Sequence, residues 1–189
     1  SDNMAVRQAA LLGMASGKRR VVASAIEHPA VLNTCRSLES QGFEVRLIGV
    51  DVDGYLDMEQ ARRLITPDTA VVSVMAANNE VGTIQPIREL AGLCRERGAL
   101  FHTDAVQAAG HIPLDVRELG CDMMSVSAHK LGGLRGAGLL YIRRGLELQP
   151  LICGGGQENG LRSGTENTAA IVSMGVAMEY ACGDINGRS

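Results

Sequence analysis

Lysine attacks a carbonyl carbon only after losing its proton, so a Schiff-base lysine needs burial or a neighbouring cation to lower its pKa. Lys130 has a setting suited to that chemistry. It follows the apolar run Met123-Met124-Ser125-Val126-Ser127, adjoins His129, and precedes Gly132 and Gly133, whose missing side chains leave room for a flat ring. Asp104, in Phe101-His102-Thr103-Asp104-Ala105-Val106-Gln107, closes the preceding strand-like run. A carboxylate buried there needs a cationic partner. Asn78-Asn79-Glu80 closes a third such run, and Gln107 and Ser127 stand at comparable places. Singly, each residue has an ordinary role: a solvated lysine, a capping aspartate, turn asparagines, a helix-entry His28 before Pro29, a partly buried strand residue His102. Those separate roles do not explain why so many polar groups share strand ends.

The elements that must position them alternate between strand-like and helix-like, the pattern of an α/β domain with helical crossovers between parallel strands. Helices are expected over about 3–16, from Pro29, over 58–65, 86–97 and 116–119, and over roughly 167–180. Strands are expected over 20–26, 43–50, 70–76, 99–103, 122–127 and 138–143. The continuous apolar run of the last strand fits a sheet covered on both faces. Ligands of such sheets gather at the carboxyl ends of strands, so three strand ends converge on one pocket. The glycines of 132–138 do not form a dinucleotide fingerprint, because they lead into a strand rather than a helix. Nothing in the spacing of Cys121, His129 and Cys153 supports a zinc site, and no metal is expected.

Composition narrows the class. The chain has 189 residues, 46% of them hydrophobic, enough for one substantial core. A net charge of -3, without basic clusters interleaved with aromatics, argues against nucleic acid as a partner. No apolar run approaches the ~20 residues of a membrane span, and a cytoplasmic location is expected. The five cysteines form no C-x-x-C pair and read as mostly structural thiols. Ser1-Asp2-Asn3 leads at once into apolar periodicity, and 183–189 is turn-rich; a fragment is expected, with a large domain over 1–182 and a linker or tail over 183–189.

Five ordered motifs carry a more specific message: Glu27-His28-Pro29-Ala30-Val31-Leu32, Asn78-Asn79-Glu80-Val81-Gly82, His102-Thr103-Asp104-Ala105-Val106-Gln107, Ser127-Ala128-His129-Lys130 and Arg162-Ser163-Gly164-Thr165. Together they resemble the cysteine desulfurases that supply sulfur for iron–sulfur clusters, within the class V aminotransferase family. The resemblance implies the large domain of an aspartate-aminotransferase-like transferase, three-layered around a mainly parallel sheet, without the C-terminal small domain. It implies pyridoxal phosphate as cofactor, bonded by Lys130, with Asp104 on the pyridine nitrogen and His28 stacked on the ring. Asn79 and Gln107 would contact the ring, Ser127 and His129 the phosphate. Thr165 would reach the phosphate of a neighbouring subunit in a homodimer.

The implied chemistry takes sulfur from L-cysteine, leaving alanine and an enzyme persulfide for an acceptor or scaffold protein, with Lys130 and His28 as proton carriers. The resemblance places the persulfide-forming cysteine, the substrate-carboxylate arginine and the glycine-rich phosphate loop outside this stretch. A selenocysteine lyase or another class V lyase, and a non-catalytic folded fragment, are the competing readings.

Overall fold

The structure, a computed structural model, describes residues 1–183 and 185. Its sheet takes the order β2-β1-β3-β4-β5-β6, with β1 Arg20–Ser24, β2 Glu44–Ile48, β3 Thr69–Ser73, β4 Leu100–Asp104, β5 Met123–Ser127 and β6 Gly138–Ile142. The first five run parallel, and β6 returns antiparallel beside β5. The order reverses between β1 and β3: the chain leaves β1 for β2 on one side, then comes back to lay β3 on the other. Such a reversal opens a crevice at the strand carboxyl ends, where α/β proteins place ligands.

The helices are α1 Asp2–Ala15, α2 Pro29–Glu39, α3 Met58–Leu64, α4 Ile87–Arg97, α5 Val116–Leu119 and α6 Thr168–Gly183. Local chemistry fixes their ends. Pro29 opens α2 with its φ already helical, Asp57 caps α3 by accepting the Gln60 N–H, and Gly98, at φ 68°, ends α4 in the left-handed region. Ser1 occupies the cap position of α1, but its side chain makes no capping bond.

Alternation along the strands splits the core in two. Val21, Ala23, Val71 and Met123 pack with Ala5, Val6, Ala9, Val31 and Leu38 of α1 and α2. Val22, Val72, Phe101, Met124 and Val126 face α4 and α6 through Leu90, Leu93, Cys94 and Met174. This is the expected three-layer α/β fold. α1 lies so close to β3 that a Cβ on Gly13 would stand 2.4 Å from the Ala70 Cβ, which requires glycine there.

The expected double coverage of 138–143 needs correction. Leu139 and Tyr141 do turn to one core and Leu140 and Ile142 to the other, but all four are only half-buried. The cause is position: β6 is an antiparallel edge strand. α6 departs from an ordinary surface helix, with Ala170 and Met174 buried while Ile171, Val172 and Val176 are exposed. Of the expected tail over 183–189, Gly183 ends α6, and residues 184 and 186–189 lie outside the described residues.

Candidate active site

Four parallel strands deliver the chemistry-bearing residues to one end of the sheet. β1 leads through Ala25 and Ile26 to Glu27 and His28, β3 runs on through Val74 and Met75 to Asn78 and Asn79, and β4 ends at Asp104. β5 ends at Ser127, and a 3-10 turn, Ala128–Lys130, carries His129 and Lys130. Each follows a strand buried against both layers, so its backbone is fixed by the core beneath it.

Asp104 is buried, and its one side-chain hydrogen bond is from the Val106 N–H to Oδ1 at 2.9 Å. The aspartate therefore ends a strand with a turn and does not cap a helix. Burial, with Asp2 adding repulsion, pushes its carboxyl up to about 6, while His28 favours the charged form. No side-chain cation is hydrogen-bonded to it among the described residues. This is the environment a protonated ring nitrogen would complete, so the site fits pyridoxal phosphate on this criterion.

His28 is exposed and does two jobs at once. As N-cap of α2 it accepts the Ala30 N–H on Nδ1 at 3.1 Å, which fixes the ring, and it lies within electrostatic reach of Asp104. Asn79 and Gln107 line one groove of about 480 Å³ with Asn78, Val81 and His111. Asn78 is buried and structural: its Nδ2 donates to the Ile26 carbonyl at 3.1 Å and its Oδ1 accepts from Glu80 and Val81 N–H at 2.9 and 3.0 Å. Ser127 Oγ and His129 Nδ1 lie 2.8 Å apart, two polar groups able to share an anion.

Lys130 is exposed, so the expected burial of its amine is not supplied by the described residues. Its turn is held from behind: Leu131 and Gly133 N–H groups donate to the Ala128 carbonyl, and Leu134 N–H donates to Ser173 Oγ of α6 at 3.0 Å. Gly133 is small for another reason than ring access, since a Cβ there would sit 3.1 Å from the Ala128 carbonyl oxygen and 3.4 Å from that of Ser173. Gly132 is open, at φ 91°. Thr165 is exposed on the loop before α6, and no hydrogen bond joins it to the other candidates among the described residues.

Two features escaped the sequence reading. Glu27 is buried, with Oε1 accepting from Ser24 Oγ at 2.5 Å and from the Met75 N–H at 2.7 Å, and with Oε2 unpartnered. The two hydrogen bonds favour the carboxylate, but full burial outweighs them and pushes the acid up to about 8. His102 bridges Ser73 Oγ at 2.8 Å and Ser125 Oγ at 2.9 Å beneath the site, fully buried rather than partly, and burial pushes it down to about 4. The available signal was a polar residue inside each of three apolar strand runs.

These shifts set a pH dependence. Glu27 and Asp104 hold protons more tightly when folded, so each adds stability at low pH that is lost between its unfolded and folded pKa; His102, shifted down, acts in the opposite sense. Above the ordinary histidine pKa of 6.5, Glu27 alone of the three still titrates. Unfolding free energy is therefore expected to fall by about 2 kcal/mol from pH 6.5 to 8, and Glu27→Gln should flatten that fall in urea titrations. The buried thiols of Cys35, Cys94 and Cys121 are pushed up to about 12, 12 and 11, as befits structural cysteines.

Comparison with known proteins gives this geometry a lineage. The model of the Aminotransferase class-V family matches residues 1–187. The chain belongs to the class V aminotransferase family. Members of this family depend on pyridoxal phosphate, in accord with an acid, a histidine and a lysine at one end of the sheet. The chain is 49% identical over 181 residues to cysteine desulfurase IscS of Dictyoglomus turgidum, covering 96% of this chain and 46% of that protein. It is 52% identical over 182 residues to a cysteine desulfurase of Gluconacetobacter diazotrophicus, covering 96% and 45%. The chain thus spans about half the length of the curated relatives it matches.

Among solved structures, a NifS-like protein superposes with a TM-score of 0.94 at 43% identity, covering 99% of this chain and 52% of that one. SspA, solved in complex with cysteine, superposes with a TM-score of 0.86 at 40% identity, covering 95% and 53%.

Proposed function

We propose that the protein is a cysteine desulfurase, which takes the sulfur of L-cysteine, leaves L-alanine and hands the sulfur on as a persulfide. The observation that carries this reading is Asp104, a buried acid to which no side-chain cation is hydrogen-bonded among the described residues, at the same end of the sheet as the His28 and Lys130 segments. The names of the relatives support the choice of reaction, as does the cysteine bound to SspA.

When bound, pyridoxal phosphate supplies an electron sink for the carbanion at the substrate Cα. Lys130 would hold it covalently and Asp104 would keep its ring nitrogen protonated. His28 would lie against the ring, Asn79 and Gln107 would hold its edge, and Ser127 with His129 would take the phosphate. Lys130 and His28 are the residues placed to carry protons between Cα, sulfur and the leaving product. A protein thiolate would attack the substrate sulfur as the Cβ–S bond breaks, leaving the bond's electron pair on carbon; proton delivery to Cβ and back to Cα then completes alanine, and the thiolate is left as a persulfide. Cys35, Cys94 and Cys121 do not suit that last role, because burial keeps them as thiols. A homodimer, in which Thr165 completes the neighbouring site, an acceptor or scaffold protein for the sulfur, and a cytoplasmic location belong to the same proposal.

The test is to supply the intact, cofactor-loaded protein with L-cysteine and a reducing thiol and to quantify alanine and sulfide. Equimolar release is expected. Alanine from selenocysteine only, or from neither substrate despite bound cofactor, would move the assignment to another class V lyase.

A further inference from the structure

We propose that Glu27 is a positioning residue that works as an uncharged carboxylic acid at the point where the strand order reverses, holding His28 and Asp104 in register. The inference rests on the reading that a cofactor ring lies between those two residues.

Glu27 stands at the strand-order reversal between β1 and β3. Oε1 takes the Ser24 hydroxyl at the end of β1 and the Met75 N–H beyond β3, so one atom ties the two strands across the reversal. Asn78 adds a second tie from the same side, through its bond to the Ile26 carbonyl. The segment between Ser24 and His28 is thereby fixed at both ends, and His28 takes its place as the α2 cap from it. A ring fixed only by its own cap bond would shift with that segment.

The uncharged state follows from what surrounds the side chain. Ser24 faces it from β1, Met75 from beyond β3, Asp104 from β4, Asp2 from α1 and Cys35 from α2. None of these is a cation, and Glu27 is 4% exposed. A carboxylate there would be a buried, unpaired charge beside two further acids. Both donors meet Oε1, which serves as the carbonyl oxygen, and Oε2, which accepts no hydrogen bond, is the oxygen left to take the proton. Keeping Glu27 neutral leaves Asp104 free to hold its negative charge for a ring cation, because an ionised Glu27 would push that carboxyl up further. Burial of the acid next to His28 is thus an electrostatic choice as well as a structural one.

Glu27→Gln and Glu27→Ala in the intact protein separate the two functions of the side chain. Glutamine keeps the carbonyl acceptor and an uncharged partner, whereas alanine removes the tie. Infrared difference spectra of wild type against Glu27→Gln, taken without cofactor at neutral pH, should show a protonated-carboxyl carbonyl band in the wild type. Glu27→Gln should retain the affinity for added pyridoxal phosphate, read from its visible band, and the turnover; Glu27→Ala should lose on the order of 10–100-fold in both, the scale of a misplaced catalytic group. Absence of the infrared band, or Glu27→Gln damage equal to that of alanine, overturns the proposal. Should borohydride attach no cofactor to wild-type Lys130, the functional reading fails on its own, and the infrared arm still decides the state of Glu27.

Discussion

Replacing Lys130 by alanine in the intact protein is expected to abolish borohydride-fixable pyridoxal phosphate and to lower alanine release on the order of 10⁴-fold, the upper range for one proton-transferring group. The structural grounds are that Lys130 is exposed at the end of a 3-10 turn held by backbone hydrogen bonds and the Ser173 contact, in which its side chain takes no part. Its removal therefore leaves β5, the Ala128 carbonyl and the Ser173 contact in place. The melting temperature should change little, since an exposed substitution outside a cap or core usually shifts stability by less than ~0.5 kcal/mol. Three measurements decide the matter: visible absorbance of the loaded protein, peptide mapping after reduction, and thermal unfolding. Label on any lysine-containing peptide other than that of Lys130, or activity surviving the substitution, would remove the residue from the site. Arginine at the same position should fare no better than alanine, because its guanidinium stays protonated and cannot act as the amine nucleophile.

The contrast between what could be read in the sequence and what could not has a physical pattern. Alternating apolar runs and caps such as Pro29 and Asp57 are local signals, and from them the order and type of the elements followed. Polar residues at the ends of those runs were equally visible, which is why Asp104, Asn79, Gln107, Ser127 and Lys130 came out at strand carboxyl ends. Long-range partners were not visible. Glu27 shows in the sequence only as part of a Glu-His-Pro motif, because nothing in a sequence says that its oxygen will meet a backbone N–H 48 residues away. The full burial of His102 is hidden in the same way, since its two serine partners come from separate strands. The edge position of β6 was hidden for a related reason: apolar content reports burial and cannot report the direction in which a strand returns. Gly133 shows the limit from the other side, with a feature suited to ring access serving instead to let α6 approach the turn.

Asp104→Asn is expected to separate activity from stability, and the opposite signs are what make it informative. Asparagine keeps an oxygen for the Val106 N–H, so the turn after β4 survives. It cannot hold a proton on a ring nitrogen by charge, and removing a preorganised charge of this kind costs about 10²–10³-fold in turnover. Stability should move the other way. The folded carboxyl is pushed up to about 6 from 3.8, so above pH 6 the fold carries an ionised group that the unfolded chain solvates better. Its neutral replacement should raise unfolding free energy by about 3 kcal/mol at neutral pH in the cofactor-free protein, with the gain shrinking to nothing below the unfolded pKa. Urea titrations at two pH values, beside turnover of the loaded enzyme, read both quantities. A variant that loses stability and activity together would mark Asp104 as a structural acid, and one that keeps full turnover would remove it from the site. A residue that costs the fold something while it waits for a cation is the strongest physical mark this chain carries of a cofactor site.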